Sequence, residues 1–127
     1  MSFPFNAHQG LIVVHAEVFG PAASIVLRLA LDTGATATMI NVAPLVAIGY
    51  DPSLAPVRIQ VTTGSGVEFV PRIQVSRIKV LGQQRTHFAV LSHTLPASAT
   101  IDGLLGLDFV RGQRLMIDFR QGDVSLS

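Results

Sequence analysis

Leu29-Ala30-Leu31-Asp32-Thr33-Gly34-Ala35-Thr36 decides how the rest of the chain is read. Leading into it, Ile25, Leu27, Leu29 and Leu31 share one face of an alternating strand, and Val26, Arg28, Ala30 and Asp32 share the other. The strand is apolar and ends on a carboxylate. An unpaired buried charge is expensive, so a carboxylate in that place has a task. Gly34 admits backbone conformations closed to other residues and lets a second segment come close. The Thr33 hydroxyl is able to hydrogen-bond a facing loop. Together these residues present one carboxylate, rigidly, at a strand end.

A second stretch follows much later, Leu104-Leu105-Gly106 and then Leu107-Asp108-Phe109-Val110. The first stretch resembles the active-site motif of the aspartic proteases. The second resembles the hydrophobic-hydrophobic-Gly element that precedes a short C-terminal helix in the retroviral-type enzymes, the retropepsins. The resemblance covers residues 11–127 as one domain and leaves 1–10 as an N-terminal arm. It implies an all-β fold: a small closed barrel with one or two short helices. It also implies an aspartic endopeptidase that needs no metal or organic cofactor and acts on a peptide or protein. Because only one Asp-Thr-Gly is present, the resemblance implies a homodimer with one Asp32 from each chain. Thr33 would then bond the partner's loop, Gly34 would touch substrate backbone, and Ala35 would complete the loop. Leu104, Leu105 and Gly106 would pack beneath it.

Composition sets the frame. The length suits one domain. Apolar residues make up 49% and charged residues 13% of the chain, against about a quarter charged in a typical soluble domain. Either the chain buries extra surface in an oligomer or its β core is dense. Net charge is +1 with the basic residues scattered, which gives no footprint for nucleic acid. There is no Cys, which removes thiol catalysis, disulfides and Cys-based metal sites. Residues 1–10 lack the pattern of a signal peptide. No apolar run nears the ~20 residues of a membrane span. A soluble, cytoplasmic protein is the expectation.

Taken in order, Pro4 and Gly10 argue against regular structure in the arm. Residues 11–18 and 23–31 read as a strand hairpin around Phe19-Gly20-Pro21-Ala22. Residues 36–40 form a short strand. Asn41 caps a helical turn with Pro44 in its first turn and Gly49 at its end. Residues 57–62 alternate cleanly, Thr63-Gly64-Ser65-Gly66 is a turn, and 67–70 resume the strand. In retropepsins a glycine-bearing hairpin here is the flap over the substrate, so Thr63, Gly64, Ser65 and Gly66 are the candidate flap tip. An ordinary surface hairpin is the plainer reading. Residues 72–80 form another strand whose apolar phase switches near Ser76, through a bulge or a change of partner. Residues 85–91 form the next. Residues 92–99 are a loop, 107–111 a short helix stopped by Gly112, and 115–119 with 124–126 a closing hairpin. The C-terminal strands are expected in the dimer sheet, since the arm is poor in strand formers.

Several residues admit rival readings. Asp102-Gly103 allows a dyad within one chain, or a loop aspartate beside a turn glycine. Asp108 either pairs with a basic residue near the interface or is a solvated carboxylate at a helix start. His8, His15, His87 and His93 show no metal-ligand spacing. Gly64-Ser65-Gly66 is not the Gly-x-Ser-x-Gly of a nucleophile elbow. A retropepsin fold that serves only dimerisation or peptide binding is the main alternative to an enzyme, with a β-barrel interaction protein behind it.

Overall fold

The computed structural model describes residues 1–127 apart from the side chain of Thr63. β-Branched runs bounded by Gly and Pro give short strands, and these roll into a barrel. Strands β2 (Val13–Phe19) and β3 (Ser24–Leu31) form the expected hairpin, with Val14 opposite Leu29 and Val18 opposite Ile25. β4 (Met39–Asn41) leads into helix α1 (Val42–Ala47). Pro44 lies within its first turn, and Gly49 just beyond its end has φ +106°. A 3-10 turn at Pro52–Leu54 follows, and Asp51 caps it by accepting from the Ser53 N–H. β5 (Val57–Thr63) and β6 (Gly66–Val80) make the long hairpin. β7 (Gln83–His93), β8 (Gly103–Leu105) and helix α2 (Leu107–Val110) complete this part.

Six strands in the order β2-β3-β8-β4-β7-β6 close on themselves, because β6 returns to pair with β2. β5 lies outside the ring and, among the described residues, pairs only with β6. Closure leaves few open edges and surrounds a core of Val14, Leu27, Leu29, Ile40, Val75, Ile78 and Leu105, with Phe109 of α2 fully buried against it. This is the small closed β-barrel with two short helices that the resemblance implied. Among the described residues, no helix is long and apolar enough to cross a membrane.

Two expectations are corrected. Residues 67–70 and 72–80 are one strand, not two. Pro71 is tolerated because residues 66–71 pair only with β5, and pairing with β7 begins at Arg72. The N-terminal arm also holds regular structure: β1 (Ser2–Pro4) pairs with β10 (Asp123–Leu126), which pairs in turn with β9 (Leu115–Asp118). Pro4 ends that strand rather than forbidding it, and Phe3, opposite the buried Val124, packs against the core.

The phase switch in β6 has the expected cause. β6 pairs with β5 as far as Arg72 and with β2 from Arg77 onward. At the handover the Ser76 N–H donates to the Tyr50 hydroxyl at 2.8 Å, and that hydroxyl donates to the Phe19 carbonyl at 2.7 Å. A side chain thus stands in for the interrupted ladder.

Candidate active site

The Asp-Thr-Gly loop leaves β3 and turns back on itself within three residues. The Asp32 N–H donates to the Leu105 carbonyl at 3.0 Å, so β3 and β8 run parallel up to the loop. The Gly34 N–H donates to Asp32 Oδ1 at 2.9 Å, and the Ala35 N–H to the Asp32 carbonyl at 3.2 Å. The carboxylate is therefore fixed through one oxygen and half-buried, with Thr33 and Gly34 exposed beside it. Gly34 does not use a left-handed conformation. What it supplies is room and a donor, since a Cβ there would stand 3.2 Å from Asp32 Oδ1.

Leu104, Leu105 and Gly106 lie against the loop, where the Leu105 carbonyl accepts from the Asp32 N–H. Leu105 is fully buried. A Cβ on Gly106 would lie 2.6 Å from the Ala37 carbonyl carbon, and one on Gly103 only 2.0 Å from the Met39 carbonyl oxygen. Both positions need glycine because backbone crosses backbone there. The Leu107 N–H donates to the Ala35 carbonyl at 2.8 Å, tying α2 to the loop.

Below this sits a polar clamp. Thr38 is fully buried. Its hydroxyl donates to Asp108 Oδ1 at 2.7 Å and accepts from the Gly106 N–H at 3.1 Å, while its own N–H donates to Asp108 Oδ2 at 2.9 Å. Asp108 is thus half-buried in the first turn of α2 and, among the described residues, meets no basic side chain; it holds the end of the loop. Asp102 likewise accepts from the Arg28 N–H at 2.8 Å, and its own N–H donates to the Arg28 carbonyl at 2.7 Å. It is a splice between β3 and the approach to β8, which corrects the idea of a dyad within one chain. The Asn41 side chain accepts from the Leu95 N–H at 3.2 Å rather than capping α1.

The long hairpin reaches out opposite the loop. Thr63 pairs with Gly66 across its tip, Gly64 and Ser65 turn the chain, and Gly66 adopts φ +130°. The Thr63 side chain lies outside the described residues. A cavity of about 380 Å³ opens between hairpin and loop, with Gly34, Ala35, Met39, Ile59, Val61 and Leu91 among its walls. Alternation along residues 57–62 marked the hairpin face, but nothing local marked Met39 or Leu91, which β4–β7 pairing brings side by side. Among the described residues no group of His, Asp and Glu is placed to hold a metal ion.

The family pattern for aspartyl proteases matches residues 14–109. Among solved structures, a retropepsin-like aspartic protease from Rickettsia conorii is similar with a TM-score of 0.72 at 16% identity, over 99% of this chain and 89% of that one. The retroviral protease-like domain of Ddi1 from Leishmania major is similar with a TM-score of 0.62 at 21% identity, over 92% of this chain and 94% of that one. No functionally curated protein matches. At such identities the two structures speak for the fold, which is retropepsin-like, while the family pattern takes in both glycine-bearing motifs and most of the residues between β2 and α2: the chain belongs to the aspartyl protease family.

Proposed function

We propose that the chain is an aspartic endopeptidase acting as a twofold homodimer, with Asp32 of each protomer forming the catalytic dyad. The observation that carries this reading is the isolation of Asp32. It is held at a strand end by Gly34, beside a cleft, while the neighbouring carboxylates Asp102 and Asp108 are engaged in backbone and hydroxyl hydrogen bonds. A second carboxylate for the chemistry then has to come from a second copy, which a closed twofold pair supplies.

Two carboxylates about 3 Å apart share one proton, because both cannot ionise cheaply. The ionised one takes a proton from a bound water. The protonated one donates to the scissile carbonyl oxygen. Water adds to the carbonyl carbon to give a gem-diol, and proton transfer to the nitrogen releases the amine. The titration belongs to the pair rather than to either chain. The hairpin around Gly64–Gly66 covers the substrate, and Thr33 bonds the partner's loop.

The test is hydrolysis of a denatured, complex peptide mixture between pH 4 and 7, with wild type beside Asp32→Asn over a range of protein concentrations. Cleavage that is absent in the variant and rises faster than linearly with concentration supports the proposal. Equal cleavage by both proteins refutes the assignment of Asp32. Absence of cleavage by either favours a barrel retained for dimerisation or peptide binding.

A further inference from the structure

Among the described residues β5 pairs only with β6, and Val67 and Phe69 near the tip are exposed. Cross-strand pairing places Glu68 and Val70 on the face that carries Val61 and Ile59, two of the cleft walls. On β7, His93 shares a face with Leu91, another cleft wall. These two polar residues meet: His93 Nδ1 lies 3.7 Å from Glu68 Oε2. Among the described residues no other acidic and basic side chains come this close. The two also line a neighbouring cavity of about 640 Å³ with Val70 and Thr94.

We propose that Glu68 and His93 are a clasp that holds the hairpin closed over the cleft and tightens when the imidazole gains its proton. This rests on the reading of the hairpin as a cover for the cleft. Both side chains are partly solvated, with 49% and 28% of their surface exposed, so the contact is a weak one that opens readily. A gate needs that property, since a strong buried pair would lock the cleft shut. Histidine is the side chain that changes charge between pH 8 and 5. Acid therefore converts a neutral contact into an ionic one, provided the carboxylate stays ionised.

Few other charged groups lie around the pair. β4, α1 and the loop 94–99 carry no titratable side chain. β6 adds Arg72 and β5 adds Arg58, both permanently charged. Asp102, across β4, is bonded to the Arg28 N–H. His87, further back on β7, pairs its carbonyl with the Gln74 side chain.

The chain has no cysteine, so Gly64→Cys introduces a single thiol at the hairpin tip. A Cβ there meets nothing within 4 Å. A trifluoromethyl tag on that thiol reports open and closed hairpins by fluorine NMR, without reference to activity. Lowering the pH from 7.5 to 5.5 is expected to raise the closed-to-open ratio about two- to five-fold, the range of an exposed ion pair. Glu68→Gln and His93→Gln are each expected to abolish that response, and the double variant to match either single one. A pH response that survives Glu68→Gln, or a ratio insensitive to pH in the parent, overturns the clasp. Peptide cleavage is assayed separately on the parent chain with Gly64 intact. A clasp that behaves as expected in the tagged protein beside a parent that cleaves nothing counts against the protease and not against the clasp. Cleavage with no pH-driven closure does the reverse.

Discussion

Thr38→Val is the sharpest probe of how the loop is held. The substitution keeps the shape of the side chain and removes one hydroxyl. That hydroxyl donates to Asp108 Oδ1 at 2.7 Å and accepts from the Gly106 N–H at 3.1 Å. Losing a hydrogen bond to an ionised acceptor costs about 1.5–3 kcal/mol, and a buried N–H left without a partner costs about 1–3 kcal/mol. The bond from the Thr38 N–H to Asp108 Oδ2 survives, so the two losses do not fully add. A net destabilisation of about 2–4 kcal/mol follows, a large share of the ~5–15 kcal/mol of an ordinary domain. The assay is urea unfolding at fixed protomer concentration, because association adds to apparent stability. With a slope near 2 kcal/mol/M the midpoint falls by about 1–2 M. Asp108→Asn gives an independent check. Both Asp108 oxygens accept from Thr38, so in either orientation of the amide its NH2 faces a donor, the Thr38 hydroxyl or the Thr38 N–H. A loss of about 1–2 kcal/mol is expected there. If Thr38→Val moves stability by less than about 0.5 kcal/mol, the value of a neutral surface change, the clamp does not hold the loop.

Gly103→Ala should fail to give folded protein, or lose more than about 3 kcal/mol, because its Cβ would fall 2.0 Å from the Met39 carbonyl oxygen between two paired strands. Gly64→Ala, with open space at the same atom, should stay within about 0.5 kcal/mol of the parent in the same unfolding assay. Arg85 stacks 4.5 Å over the Phe109 ring and donates to the Phe109 carbonyl and to the Gln113 side chain. Arg85→Lys keeps the charge but loses the planar fork, so hydrogen exchange should quicken selectively across residues 109–126.

Sequence alone carried the fold a long way because its strongest signals are local. The apolar alternation into Asp32, the Leu104-Leu105-Gly106 run and the turn at Gly64–Gly66 each announce an element without help from distant residues. Elements that depend on distant partners were hidden. Ser2–Pro4 is a strand only because β10 offers it an edge, and no propensity within the arm shows that. Thr38 and Asp108 meet across 70 residues of sequence, so neither the buried hydroxyl nor the second role of that carboxylate was visible. Glu68 and His93 are 25 residues apart in sequence, and nothing links them until the long hairpin is laid against β7. The Asp32 loop and the Leu104-Leu105-Gly106 run against it stood out in the sequence, and the Thr38–Asp108 clamp that ties them together did not.

The proposal that most needs testing is that two chains each give one Asp32. Wild type at a fixed concentration is mixed with increasing amounts of Asp32→Asn, both well above the dimer dissociation constant and left to exchange partners. If the dyad is built across the twofold axis, half of the wild-type chains sit in mixed dimers at equal amounts, and cleavage per wild-type chain falls to about half. At ninefold excess it falls to about a tenth. Activity that is unchanged by the variant would mean that a single chain holds the whole site, and Asp32 would not be one half of a dyad shared between two chains.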